Sequence, residues 1–221
     1  MLTKIVYEDD RLLVCHKPAG IATQTDRIGQ PDVVSELKNY LRSPYVAVIH
    51  RLDQPVEGLL VFAKDKKTAA ALSSQLTSHQ LRKLYLAIVY GVPEGDCAQL
   101  TDYLLKEKGS NLSKVVDRQT PQAACAQLSY RLLEKLDEGR AALLEVELTT
   151  GRHHQIRVQL SHHGYPLLGD RKYGSQDSIA YSDRNNRSVV ALCAYRLEFT
   201  HPGTKKRMSF QCVQPGEWGS V

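Results

Sequence analysis

No apolar run in this chain is longer than seven residues, the two longest being Leu84–Tyr90 and Val189–Tyr195. A membrane-crossing helix needs about 20 such residues, so no segment is expected to span a bilayer. Short apolar runs cut by Gly, Pro and charged turns favour strands instead. With 221 residues, 42% hydrophobic and 24% charged, the chain is long enough to bury a substantial core. It reads as one domain over residues 1–221.

Leu12–His16 runs into Lys17-Pro-Ala-Gly20, the pattern of a strand entering a turn. Asp32–Leu41 has helical periodicity in Val33, Val34, Leu37, Tyr40 and Leu41, with Asp32 as the cap. Tyr45–Ile49 and Leu59–Ala63 are expected strands that bracket a polar loop, His50-Arg51-Leu52-Asp53-Gln54-Pro55. A helix is expected over Lys66–Ser78 and a strand over Lys83–Tyr90, ended by Gly91. Cys125–Leu133 and Ala141–Thr149 read as paired strands around Asp137-Glu138-Gly139. Arg152–His163 reads as a short helix stopped by Gly164, and Val189–Phe199 and Arg207–Cys212 as the closing strands. Residues 94–123 show little periodicity and read as loops or irregular hairpins. Strands outnumber helices and several join through short turns, so the expected class is α+β with a largely antiparallel sheet.

The five cysteines (Cys15, Cys97, Cys125, Cys193 and Cys212) are odd in number and never spaced Cys-x-x-Cys, which predicts reduced packing residues. The N-terminus turns acidic at Glu8-Asp9-Asp10 where a signal peptide would be apolar, which predicts a cytosolic protein. The net charge of +5 is unevenly distributed, with 19 basic and 19 acidic side chains in residues 1–150 against 10 and 5 in residues 151–221. A one-sided positive balance suits a polyanionic partner such as nucleic acid. His153-His154 and His162-His163 lack a spacing that completes a metal site, and no glycine loop of phosphate-binding type is present. Neither a metal nor a cofactor is expected, and the histidine doublets read as helix-surface residues.

The loop at His50–Pro55 sets a carboxylate beside a guanidinium between two apolar strands. Taken alone, an Arg-x-Asp of this kind is usually a surface ion pair. Here it is accompanied by Asp9-Asp10, His16-Lys-Pro-Ala-Gly20, Gly58-Leu-Leu60, Lys83-x-Tyr-x-Ala-x-Val-x-Gly91, Gly151-Arg-x-His-Gln-Ile-Arg157, Gly169-Asp170 with Tyr173-Gly174, and Leu197-x-Phe-x-His-Pro202. In these segments, taken in order over almost its whole length, the chain resembles the RluA-type RNA pseudouridine synthases.

The resemblance implies a sheet bent around a central catalytic cleft, and isomerisation of specific uridines in structured rRNA or tRNA without metal or cofactor. It also implies a monomer. Relatives often begin with a small RNA-binding module, whereas this sequence opens on the catalytic segment, so RNA affinity is expected to reside there. By position, Asp53 matches the catalytic aspartate, Tyr85 the tyrosine that stacks on the target base, and Arg157 the arginine paired with the aspartate. Arg51 matches the arginine that fills the gap left by a flipped base. His50, Arg152, Arg171 and Lys172 are the further RNA-binding candidates. A carboxylate suits a reaction that breaks and remakes a glycosidic bond through a transient adduct, at carbon 1 of the ribose or carbon 6 of the uracil. A guanidinium, which does not deprotonate, keeps such a carboxylate charged in a water-poor cleft.

The sequence departs from the family pattern at Val56-Glu57, where Thr-Ser is usual, at Gln159, and at Cys193, where histidine is usual. Glu57 introduces a charge that can pair with a nearby cation or repel a phosphate. Asp53 and Glu57, four apart, also invite a glycosidase reading, which Pro55 disfavours by breaking any helix between them. A non-catalytic RNA-binding or RNA-chaperone protein on the same scaffold is the second alternative.

Overall fold

The computed structural model describes residues 1–27 and 29–218. In chain order the elements are β1 (Lys4–Glu8), β2 (Leu12–Lys17), α1 (Val33–Leu41), β3 (Ala47–Val48), β4 (Glu57–Ala63), α2 (Lys66–Thr77) and β5 (Arg82–Tyr90). They continue with β6 (Cys97–Lys106), β7 (Ser113–Val116), β8 (Ala124–Leu136), β9 (Ala141–Leu148), α3 (Gln155–His162), α4 (Gln176–Arg184), β10 (Leu192–Thr200) and β11 (Arg207–Gln211). The packing resolves into two compact units, Met1–Lys83 with Cys193–Gln214, and Leu84–Leu192 with Pro215–Val221. The class is α+β with a mixed, mainly antiparallel arrangement of strands, as the sequence predicts. No helix among the described residues is long and apolar enough to cross a membrane.

In the first unit β2 lies between β1 and β4, antiparallel to both, and β4 pairs in parallel with β10 through Cys193↔Glu57 and Ala194↔Gly58. β11 adds to β10 and β3 to the end of β4. Leu12, Val14, Leu59, Val61, Leu72, Leu197 and Phe199 pack into one apolar cluster, which seats α2 on the sheet. The expected cap of α1 forms, with Asp32 accepting from the Ser35 N–H at 2.7 Å, and Asp65 caps α2 in the same way, accepting from the Thr68 N–H at 2.8 Å. Gly58 has φ +129°, and a Cβ there would lie 2.5 Å from the backbone of Ala194. Only glycine lets the two chains approach this closely.

The turn from β1 to β2 is organised by Asp9, which accepts from the Arg11 and Leu12 N–H groups, the Tyr7 hydroxyl and His201. Burial opposes its charge, but these bonds prevail and hold the carboxyl at about 2. The folded pKa is therefore below the unfolded value, and its contribution, about 2 kcal/mol, is present above the ordinary carboxylate pKa and lost as pH falls through about 2. Asp9→Asn is expected to be less stable than the parent near neutrality, with the gap shrinking by about that amount on acidification, as read from urea unfolding at both pH values.

The second unit is an antiparallel sheet in the order β5-β9-β8-β6-β7. The β8–β9 hairpin turns where expected, with Asp137, Glu138 and Gly139 all at positive φ. α3 buries Ile156, Val158 and Leu160, and it begins three residues later than the expected helix.

Several sequence readings are corrected. Residues 94–123 hold a regular strand pair, Tyr103↔Val116 to Lys106↔Ser113, rather than irregular loops. In β6 the buried apolar residues are Leu100 and Leu104, four apart, which masks the alternation of a strand. α4 went unread because its buried face consists of Ser178, Tyr181 and Ser182 and carries no apolar period. β1 is a half-exposed edge strand, and β10 begins at Leu192 rather than Val189.

Candidate active site

In the first unit the Asp53 loop is bonded to the turn that follows β2. The Thr23 hydroxyl accepts from the Leu52 N–H at 3.1 Å and donates to the Leu52 carbonyl at 2.9 Å. The Gly20 N–H donates to the Gln54 carbonyl at 2.8 Å, and the Gln54 amide returns a bond to the Gly20 carbonyl at 2.9 Å. The Val56 N–H closes on the Asp53 carbonyl at 3.1 Å. Asp53 is left half-buried on a loop that is fixed at both ends.

Beneath this loop lies Lys17, whose side chain is fully buried. Its ammonium donates to the carbonyls of Pro18, Ile21 and Gln54 at 3.0, 2.8 and 3.1 Å. Burial lowers its pKa to about 8, while the neighbouring carboxylates of Asp53 and Glu57 work in the opposite direction. A lysine this deep normally needs a negative partner, and these two acids supply one. The charge introduced by Glu57 thus has a cation beside it, and Glu57 opens β4 rather than sharing a helix face with Asp53.

His50, an RNA-binding candidate in the sequence, is buried inside the first unit. It is 7% exposed, its Nε2 accepts from the Val61 N–H at 3.4 Å, and burial, with Lys83 adding, drives its pKa down to about 3. A neutral, buried imidazole offers no charge to RNA. Arg51 next to it is exposed, as a nucleic-acid contact requires.

Tyr85 and Arg157 belong to the second unit. Tyr85 is buried on β5, opposite Val146 of β9. Arg157, in α3, donates from Nε and Nη2 to the two oxygens of Asp170 at 2.7 and 2.8 Å, a buried bidentate pair. Its guanidinium lies 5.1 Å from the centre of the Tyr173 ring. The Tyr173 hydroxyl accepts from the Ser113 N–H at 2.9 Å and bonds His154 Nδ1 at 2.7 Å. Burial, then the charge of Arg157, lowers His154 to about 3, so a neutral imidazole stands against the Tyr173 hydroxyl. The doublet His153-His154 is therefore not a pair of helix-surface residues: His154 is buried and the two rings stack at 3.8 Å. Tyr173 packs against Arg157.

Asp170 is positioned by a sharp turn. Gly169 has φ +73°, and a Cβ there would collide with the Val189 carbonyl. Its N–H donates to Ser182 at 2.9 Å, and Asp170 in turn accepts from the Lys172 and Tyr173 N–H groups. Gln155 ties down the loop before α3 by accepting from Thr150 and the Arg152 N–H and donating to the Gln127 carbonyl. Gln159, where the family pattern suggests histidine, donates to Asp102 at 2.7 Å. Among the RNA-binding candidates, Arg152, Arg171 and Lys172 are all exposed. Arg152 donates to the Cys125 carbonyl, Arg171 pairs with Asp183, and Lys172 reaches the Asn111 carbonyl at 3.1 Å. The positioning roles of Lys17, Thr23, Asp170 and Tyr173 escaped sequence reasoning. Asp170 and Tyr173 stood in a recognised segment, but nothing linear joined them to Arg157.

Residues 11–162 match the RNA pseudouridylate synthase family. The chain is 30% identical over 207 residues to a ribosomal large subunit pseudouridine synthase C of Vibrio vulnificus, covering 92% of this chain and 63% of that protein. It thus spans under two thirds of that relative's length. It is 30% identical over 230 residues to a tRNA pseudouridine synthase C of Vibrio cholerae, covering 98% and 93% of the two chains. Among solved structures, human RNA pseudouridylate synthase domain containing 4 aligns over 97% of this chain and 90% of its own, with a TM-score of 0.77 at 23% identity.

Proposed function

The chain belongs to the RNA pseudouridylate synthase family, and on that premise we propose that it isomerises specific uridines in structured rRNA or tRNA, with Asp53 as nucleophile. The observation that carries this reading is the bonding of the Asp53 loop to residues 17–23 above a buried ammonium. A carboxylate on a loop fixed at both ends, with a buried cation beside it, suits a nucleophile. For a protein that only binds RNA, a carboxylate turned toward a polyanion is a handicap.

In this mechanism the target uridine leaves the stack at a cost of a few kcal/mol, because Asp53 does not reach the glycosidic bond of a stacked base. Arg51 offsets part of that cost by occupying the vacated space, since a guanidinium both stacks on bases and bonds phosphate. Asp53 attacks and holds one fragment while the uracil turns and rejoins through carbon 5. By resemblance Tyr85 takes the role of the base-stacking tyrosine and Arg157 that of the arginine paired with the aspartate, and within its own unit Arg157 is oriented by Asp170 and Tyr173.

Release of tritium from transcripts labelled at uridine carbon 5 tests the reaction directly. Release from rRNA or tRNA is the expected result, and RNA binding without release would favour the chaperone alternative.

The exposed Arg152, Arg171 and Lys172 are expected to contact phosphates. Neutralising each should flatten the logarithmic salt dependence of binding by roughly one unit. An unchanged slope in the triple variant would place the RNA on another surface.

A further inference from the structure

All five cysteines look like packing residues in the sequence, yet the fold brings two of them together. Cys193 lies near the start of β10 and Cys212 just past the end of β11, where its N–H donates to the Tyr195 carbonyl at 3.0 Å. The two sulfurs are 3.9 Å apart. In the strand register His16 faces Leu59, and Glu57 faces Cys193. Residues that oppose each other, or lie two apart on a strand, share a face, so His16, Glu57 and Cys193 form a row across β2, β4 and β10. His16 also hydrogen-bonds the Cys212 sulfur.

We propose that Cys212 is an oxidisable thiol and Cys193 its resolving partner, so that hydrogen peroxide closes a disulfide between them. The Cys212 thiolate attacks one peroxide oxygen, the O–O bond breaks, and the departing hydroxide takes up a proton to leave as water. The sulfenic acid on Cys212 is then attacked by the Cys193 sulfur, which gives up its proton as the S–O bond breaks and a second water leaves. Two thiols and one peroxide thus become one disulfide and two waters.

The division of labour follows from the surroundings. The Cys193 and Cys212 sulfurs share a hydrogen bond and His16 adds a second to Cys212, together outweighing burial, so the Cys212 thiol lies below its ordinary value. The same contact, with burial, pushes Cys193 up. Cys193 is 1% exposed and held within β10, whereas Cys212 is partly exposed and lies beyond the paired residues of β11. Cys212 can therefore meet peroxide first and then move the distance that a bond of about 2.05 Å requires.

A consequence for catalysis rests on the synthase reading. Cys193 and Ala194 form the rung with Glu57 and Gly58, directly after the Asp53 loop, so the tension that a bond to Cys212 puts on Cys193 falls on the rung that anchors that loop. Oxidised protein is expected to lose turnover, and a dithiol reductant to restore it.

The folded protein is treated with hydrogen peroxide and digested without reduction, and the peptides are weighed. The expected product links the peptides of Cys193 and Cys212 with loss of two hydrogens. In Cys193→Ser the sulfenic acid persists on Cys212 and is trapped by dimedone, and in Cys212→Ser the link is absent. Failure to form the link in folded protein, dimedone labelling at Cys193, or linkage through the exposed Cys97 would overturn the proposal. A link that forms without loss of tritium release would overturn the control of catalysis. Reduced protein that releases no tritium at all would instead count against the synthase reading.

Discussion

Asp53→Asn is expected to lower pseudouridine formation by about a hundredfold or more while RNA affinity stays level or rises. The amide keeps the size of the carboxylate, the Thr23 bonds to the Leu52 backbone and the Lys17 bond to the Gln54 carbonyl remain, and Glu57 still stands as an acid beside Lys17, so the fold is expected to hold. What disappears is the negative charge and with it the nucleophile. Removing that charge also removes repulsion against phosphate, which is why binding should not suffer. Tritium release and filter binding on the same transcript separate the two effects. Residual turnover above a few per cent of the parent would assign the chemistry to another group.

Asp170→Ala is expected to destabilise the protein by about 3–5 kcal/mol, the usual cost of leaving one partner of a buried ion pair uncompensated. Arg157 and Asp170 have side chains 3% and 1% exposed, so water cannot replace the lost carboxylate. The turn at residues 169–173 loses two N–H acceptors as well, since Asp170 caps Lys172 and Tyr173. Urea unfolding measures the loss. Adding Arg157→Met to the same chain should recover part of it, because the stranded charge is then gone. A loss that the second substitution does not relieve would mean that the turn, rather than the ion pair, carries the stability.

Much of the fold was legible because local signals agreed with it. Asp32 caps its helix as expected, and Asp137-Glu138-Gly139 turns a hairpin between two apolar strands. Where burial falls on polar or widely spaced residues, as in α4 and β6, those signals vanish. The segments around Asp53, Tyr85 and Arg157 were also legible, through their resemblance to a family whose motifs keep their order along the chain.

The linear chain by itself determined most of the strands and helices, which segments resemble those of the family, and the class of partner suggested by its basic final third. Those properties depend on neighbours a few residues away, through capping, periodicity and local charge. Tertiary structure decided the rest. It buried His50, an RNA-binding candidate in the sequence, as a neutral imidazole, set the Lys17 ammonium among the carbonyls of three residues, locked Arg157 between Asp170 and Tyr173, and brought Cys193 to Cys212. Each of these depends on desolvation or on a contact closed by the fold, and both are set by what packs around a side chain in space.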